Sequence, residues 1–289
     1  MLSFFRLLSA LPIGLLHLLG AVMGWVTFAL SPTYRRRFIA NARQAGYGFG
    51  QVYTAVGHAG RMVFEMPRIW LGRLPPCTMV NEEVALRAYA AGRGILFLTP
   101  HIGCFELSVQ DAARKWAATY GEITVLYRPA RQVWLAQILE TARNRPGVRA
   151  VPTTLAGVRQ MIKSLRKGHA VGLLPDQVPP QGLGVWSPFF GRDAYTMTLA
   201  ARLALQTGAA IIVARCERRS WGRGYNLFLE ELEAPLSPTL EVAVQEINAA
   251  MERTIRQCPE QYLWGYGRYK QPRVDPLVSA ATASQQEQA

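Results

Sequence analysis

Residues 95–106 read Ile-Leu-Phe-Leu-Thr-Pro-His-Ile-Gly-Cys-Phe-Glu, an apolar run closed by proline and followed by a histidine and, five positions on, a glutamate. A neutral imidazole can take the proton of an attacking hydroxyl. A carboxylate on the other ring nitrogen fixes the tautomer and steadies the imidazolium that develops. With His101 as general base and Glu106 as its orienting partner, the pair would serve acyl transfer to an alcohol without a serine nucleophile. A structural histidine at a strand end, beside a glutamate complementing the positive end of a helix, fits the same spacing. The H-x4-E pattern alone does not choose between them. No metal site is expected, because the spacing is not H-E-x-x-H and no third ligand lies nearby in sequence. Cys104 could form an acyl thioester, but a small buried apolar role is far commoner for cysteine.

These side chains need a scaffold. On one straight helix, residues five apart point about 140° away from each other, so a bent loop-to-helix junction must bring His101 and Glu106 together. Short apolar runs at 95–99, 123–127, 170–174 and 209–215 read as strands, and the stretches 105–118, 131–144, 155–167 and 196–206 read as helices. That alternation predicts an α/β fold with a largely parallel central sheet flanked by helices. Residues 225–229 add an antiparallel strand and 239–257 a late helix. In such a sheet, residues just after strand C-termini occupy the usual active-site edge. Residues 34–73 show a helical, amphipathic pattern with arginines among aromatic and apolar residues, which suits either a membrane surface or a layer covering the sheet.

The chain has 289 residues, half of them apolar and 18% charged, and a formal net charge of +13. This excludes a chain disordered throughout, a collagen-like repeat and a disulfide scaffold. The four cysteines lie far apart, with no C-x-x-C pair. Nucleic acid, an anionic membrane and an acidic protein could each match the charge; no helix-turn-helix, zinc-finger or RNA-binding signature supports nucleic acid. Residues 7–30 carry no formal charge, enough at about 1.5 Å per residue to cross a hydrocarbon core of about 30 Å. The run is longer than the roughly 7–15 apolar residues of a signal peptide. With Arg35, Arg36 and Arg37 behind it, the charge bias predicts a single-pass anchor with the rest of the chain on the cytoplasmic side.

Several ordered blocks carry a resemblance. The His101–Glu106 segment, Leu126-Tyr127-Arg128-Pro129, Leu173-Leu174-Pro175-Asp176-Gln177, the block Val185 to Gly191 ending in Pro-Phe-Phe-Gly, and Glu260-Gln261-Tyr262-Leu263-Trp264 occur in the same sequence order as in known enzymes. On these motifs the chain resembles the lipid A biosynthesis (late, or secondary) acyltransferases, within the lysophospholipid acyltransferase-like superfamily. The likeness runs from the expected anchor to about Arg273. It implies transfer of a fatty acyl chain from acyl carrier protein to a hydroxyl of a lipid A precursor at the inner membrane, with no cofactor. The expected organisation is a membrane anchor over 1–33, an acyltransferase domain over 34–275 with an amphipathic helical N-terminal part, and a disordered tail over 276–289, rich in Ala, Ser and Gln.

Arg128 becomes a candidate for binding an acceptor phosphate or stabilising the oxyanion, and Asp176 a candidate for anchoring Arg128 or another arginine of the site. Gly103 and Gly191 join the substrate-binding set as positions that permit tight turns. Glycerolipid relatives typically carry an F-P-E-G-T-R-like block where this chain has Leu174-Pro175-Asp176-Gln177-Val178-Pro179, which argues against glycerol phosphate as acceptor. An acyltransferase for another glycolipid or phospholipid, and a thioesterase or hydrolase using the same His/Glu pair, are the alternative readings. A noncatalytic lipid-binding protein is a distant third. Of the remaining basic residues, Arg215, Arg218, Arg219 and Arg223 read as a solvated charge run. Arg268, Lys270 and Arg273, interleaved with Trp264, Tyr266 and Tyr269, read as an interface.

Overall fold

The computed structural model describes residues 2–127 and 145–273; Arg128, the helix expected over 131–144 and the tail over 276–289 lie outside the described residues. Nine strands are formed: β1 (Cys77–Val80), β2 (Ile95–Leu98), β3 (Ile123–Tyr127), β4 (Val148–Pro152), β5 (Ala170–Leu173), β6 (Gly184–Phe189), β7 (Arg192–Met197), β8 (Ala210–Arg218) and β9 (Tyr225–Glu231). Seven make one sheet in the order β1-β9-β8-β2-β5-β3-β4, and β6 pairs with β7 as a separate hairpin. All pairings in the large sheet are parallel except β8 with β9. Strands buried on both faces carry near-continuous apolar sequence, and Ile95, Leu96 and Leu98 of β2 are fully buried at its centre.

The helices are α1 (Leu2–Ala10), α2 (Ile13–Leu30), α3 (Pro32–Gln44), α4 (Phe49–Val52), α5 (Thr54–Leu71), α6 (Glu82–Ala90), α7 (Phe105–Tyr120), α8 (Leu155–Arg166), α9 (Leu199–Thr207) and α10 (Leu240–Gln257). The α/β alternation expected from the sequence is therefore present, with additions. Strands β1 and β4 and the β6–β7 hairpin are new, and α9 starts at Leu199 rather than 196, because Thr196 and Met197 still pair across the hairpin with Val185 and Gly184. The helical stretch over 34–73 is three helices. After α3 the chain turns at Gly46, whose φ of +89° favours glycine.

The apolar run over 7–30 is not one helix. Pro12 ends it after α1, and α2, at 18 residues, is about 27 Å long. This second helix is apolar and long enough to cross a membrane by length and composition, yet one of its faces is packed on the rest of the fold. Leu16, His17, Gly20 and Gly24 are buried against α5. The glycines are needed there: a Cβ on Gly60 of α5 would stand 1.9 Å from the Gly20 carbonyl oxygen, and one on Gly24 would stand 2.2 Å from that of Val56. A Cβ on Gly222, just after β8, would stand 2.6 Å from the Gly14 Cα.

Candidate active site at the ends of the two central strands

The register of the sheet assembles the site. Strand β2 pairs in parallel with β5, Leu98 opposite Leu173. Residues the same distance beyond each strand end are then neighbours, and three positions past Leu98 and Leu173 stand His101 and Asp176. Asp176 is 2% exposed and grips the histidine twice. Its Oδ1 is 2.6 Å from His101 Nδ1, and its Oδ2 accepts from the His101 backbone N–H at 2.9 Å. A carboxylate only accepts, so the ring proton lies on Nδ1 and Nε2 is left unprotonated, an acceptor. The Gln177 side-chain amide lies 3.0 Å from that Nε2 and donates to it. Burial works against the charge of Asp176. The His101 ring and amide, with Arg268 nearby, outweigh burial and hold the carboxyl below its ordinary range.

Glu106, in the first turn of α7, takes a different place from the one its spacing suggested. The partner on His101 Nδ1 is Asp176, whereas the Glu106 carboxylate accepts from Trp70 Nε1 of α5 at 3.1 Å. Both His101 and Glu106 line the same cavity of about 410 Å³. Beyond them its wall is mostly apolar, with Phe97, Val109, Trp116, Val125, Leu173 and Leu227 from α7 and the sheet, and includes the polar Thr99, Ser108 and Gln110. Lining residues come from six strands of the large sheet, β2, β3, β4, β5, β8 and β9, and from β7 through Met197. Gly172 of β5 forms part of the wall, and a Cβ there would meet Val125 Cγ1 at 3.3 Å.

The loop carrying His101 is fastened to β8. Gly103 has φ of +54°, and a Cβ on it would lie 1.8 Å from the Cys216 carbonyl oxygen, so no larger residue fits. Its own carbonyl accepts from Arg218 Nη2 at 2.6 Å, and the Cys104 N–H donates to the Cys216 carbonyl at 2.8 Å. Gly191 is instead at the tip of the β6–β7 hairpin, after Phe190 with φ of +49°, and does not line the cavity. Cys104 is buried, and burial pushes its thiol well above the ordinary value, which removes it as a nucleophile.

Two arginine groups differ from the sequence expectation. Arg215 and Arg218 are buried in ion pairs rather than solvated, while Arg219 and Arg223 are exposed. Arg268 is also buried, donating to the Tyr195 carbonyl and Thr196 Oγ1, so of its trio only Lys270 and Arg273 face outward.

Sequence reasoning missed a second polar cluster. Glu65 of α5 is buried and receives Arg218 Nη2 at 2.5 Å, Tyr225 Oη at 2.8 Å and His17 Nε2 of α2 at 3.0 Å. Burial would raise its carboxyl, but Arg218 and His17 hold it down at about 2. A glutamate inside an apolar helical stretch is a faint signal, and its partners are 48, 153 and 160 residues away.

Comparison with known proteins accords with the geometry. Over 191 residues the chain is 29% identical to a lipid A biosynthesis palmitoleoyltransferase of Escherichia coli (strain K12), covering 64% of this chain and 58% of the relative. It is 30% identical over 195 residues to a lipid A biosynthesis lauroyltransferase of the same organism, covering 66% of this chain and 61% of the relative. The aligned stretch thus spans about three fifths of these relatives. A family model described as bacterial lipid A biosynthesis acyltransferase matches residues 49–271, which takes in the whole sheet and every described residue of the cavity wall. The chain belongs to the bacterial lipid A biosynthesis acyltransferase family.

Proposed function

We propose that this protein transfers a fatty acyl chain from acyl carrier protein to a hydroxyl of a lipid A precursor, at the cytoplasmic face of the cell inner membrane. The observation that carries the reading is a histidine whose Nδ1 is fixed by a buried carboxylate and whose Nε2 is directed at a cavity with an apolar interior. His101 Nε2 takes the proton of the acceptor hydroxyl as its oxygen attacks the thioester carbonyl, and Asp176 stabilises the resulting imidazolium. The carrier's thiol then leaves, recovering the proton from His101. Glu106 on the same wall adds negative charge beside the imidazolium, its carboxylate oriented by Trp70. Arg128, which follows β3, is the proposed ligand for an acceptor phosphate or the oxyanion.

The apolar depth of the cavity suits the acyl chain, and its volume lies within the usual range of about 300–1,000 Å³ for small-ligand sites. The net charge of +13 matches both an acidic carrier and a phosphorylated acceptor. The test is incubation of purified protein with an acyl carrier protein thioester, with and without a lipid A precursor, read by mass spectrometry. Acceptor-dependent gain of one acyl mass is expected. Release of free fatty acid regardless of acceptor would overturn transfer in favour of hydrolysis.

A further inference from the structure

We infer that α2 lies in the plane of the membrane, with one face immersed in the cytoplasmic leaflet and the other bound to the catalytic domain, instead of crossing the bilayer. Its contacts with the domain extend along the helix: Gly14 against Gly222, His17 on Glu65 and Tyr225, Gly20 against Gly60 and Arg61, Gly24 against Val56, and Phe28 against Phe38 and Phe49. From residue 14 to 28 that is about 21 Å of helix. A spanning helix exposes its length to lipid or to other spanning helices, so crossing would carry α5, with His58, Arg61, Glu65 and Arg68, into hydrocarbon alongside it. Buried ionic partners of His17 sit on the domain itself: Glu65 is bonded to Arg218, which in turn holds the Gly103 carbonyl of the His101 loop.

The outward face fits a leaflet. Leu15, Leu18, Leu19, Val22, Val26 and Leu30 are 40–78% exposed, and at 100° per residue they fall on one side of the helix, opposite His17, Gly20 and Gly24. Charge decides the orientation. Arg219 and Arg223 flank the end of α2 that packs on Gly222, and Arg36 and Arg37 follow its other end, all of them exposed. In a spanning helix these would lie on opposite sides of the membrane, against the cytoplasmic bias of basic residues. In an in-plane helix both clusters meet the same anionic surface. The His101 loop is then joined to the membrane-bound helix through Glu65 and Arg218.

Two measurements test this, and neither reads acyl transfer, so they stand apart from the activity proposed above. A hydrophilic tag with a protease site, fused ahead of Met1, should be spared by protease in intact spheroplasts and cut in inverted membrane vesicles. Cutting in intact spheroplasts would establish a spanning helix and end the proposal. In the second, the full chain should bind phosphatidylglycerol vesicles at least tenfold more tightly than the Leu18→Glu, Val22→Glu, Val26→Glu triple variant. Equal binding by the two would overturn it. So would a dimer in solution that the triple variant dissociates, since the face would then belong to a second copy.

Discussion

Among the described residues there are two histidine–carboxylate pairs, and they differ in what surrounds the ring. His17 and Glu65 are sealed between α2, α5 and the end of β8, with Arg218 and Tyr225 completing the shell. His101 and Asp176 have the carboxylate equally buried, but the imidazole is 16% exposed and its second nitrogen meets the Gln177 side-chain amide at the cavity. The residue types are alike. Contact with the cavity separates a pair placed to move a substrate proton from one that fastens a helix to a domain.

Removing each histidine should therefore break different things. His101→Ala is expected to lower kcat by about 10²–10⁴ while thermal unfolding stays near wild type; near-normal turnover would end the general-base role. Asp176→Asn should cost a similar factor, because it loses the charge behind the imidazolium, whereas Glu106→Gln should cost less, since Glu106 is not the Nδ1 partner. On the sealed side, Glu65→Ala leaves Arg218 buried without its carboxylate, and about 3–5 kcal/mol of stability should be lost, measured by denaturant unfolding in detergent.

The pH response sharpens the contrast. Glu65 is held at about 2 in the folded protein against an ordinary 4.5. Its contribution is thus complete above about 4.5, where both states are ionised, and is lost progressively as pH falls toward 2, because the unfolded chain takes up the proton first. Glu65→Gln should flatten the acid side of the stability profile in that window, and an unchanged slope would refute the assignment. Smaller effects belong to the cavity. Gly172→Val should shift preference toward shorter acyl chains by roughly tenfold, in keeping with about 1–3 kcal/mol per methylene of pocket space, read as kcat/KM across a chain-length series. Gln177→Ala should change kcat/KM by only a few fold, since the acceptor hydroxyl has to displace that amide anyway.

Much of this was legible in the sequence, and what was not has physical reasons. The central strands announce themselves as apolar runs, and Pro100 and Pro175 mark where β2 and β5 have ended, so His101 and Asp176 could be picked out as residues following strands. Their pairing could not, because it depends on β2 and β5 being adjacent and in register, which no local pattern encodes. Strand β1 has only four residues, β4 has an arginine near its start and ends on proline, and β6 and β7 are joined by a turn at Phe190 and Gly191; each is too short or too interrupted for alternation to show. The N-terminal run reads as one continuous helix, whereas Pro12 divides it into α1 and α2, and hydropathy records composition alone. It is silent on which side of a helix is already occupied, and His17 was the single residue in it that hinted at an occupied side.

The cavity takes its walls from six strands of the large sheet and so extends across the sheet rather than along it. Neighbouring strands lie about 4.8 Å apart, which makes the sheet a ruler graduated in strands. Acyl length in such a site would be reset by a single inward-facing residue on the strand where the chain end rests, leaving the catalytic loop, the register and the membrane contact untouched.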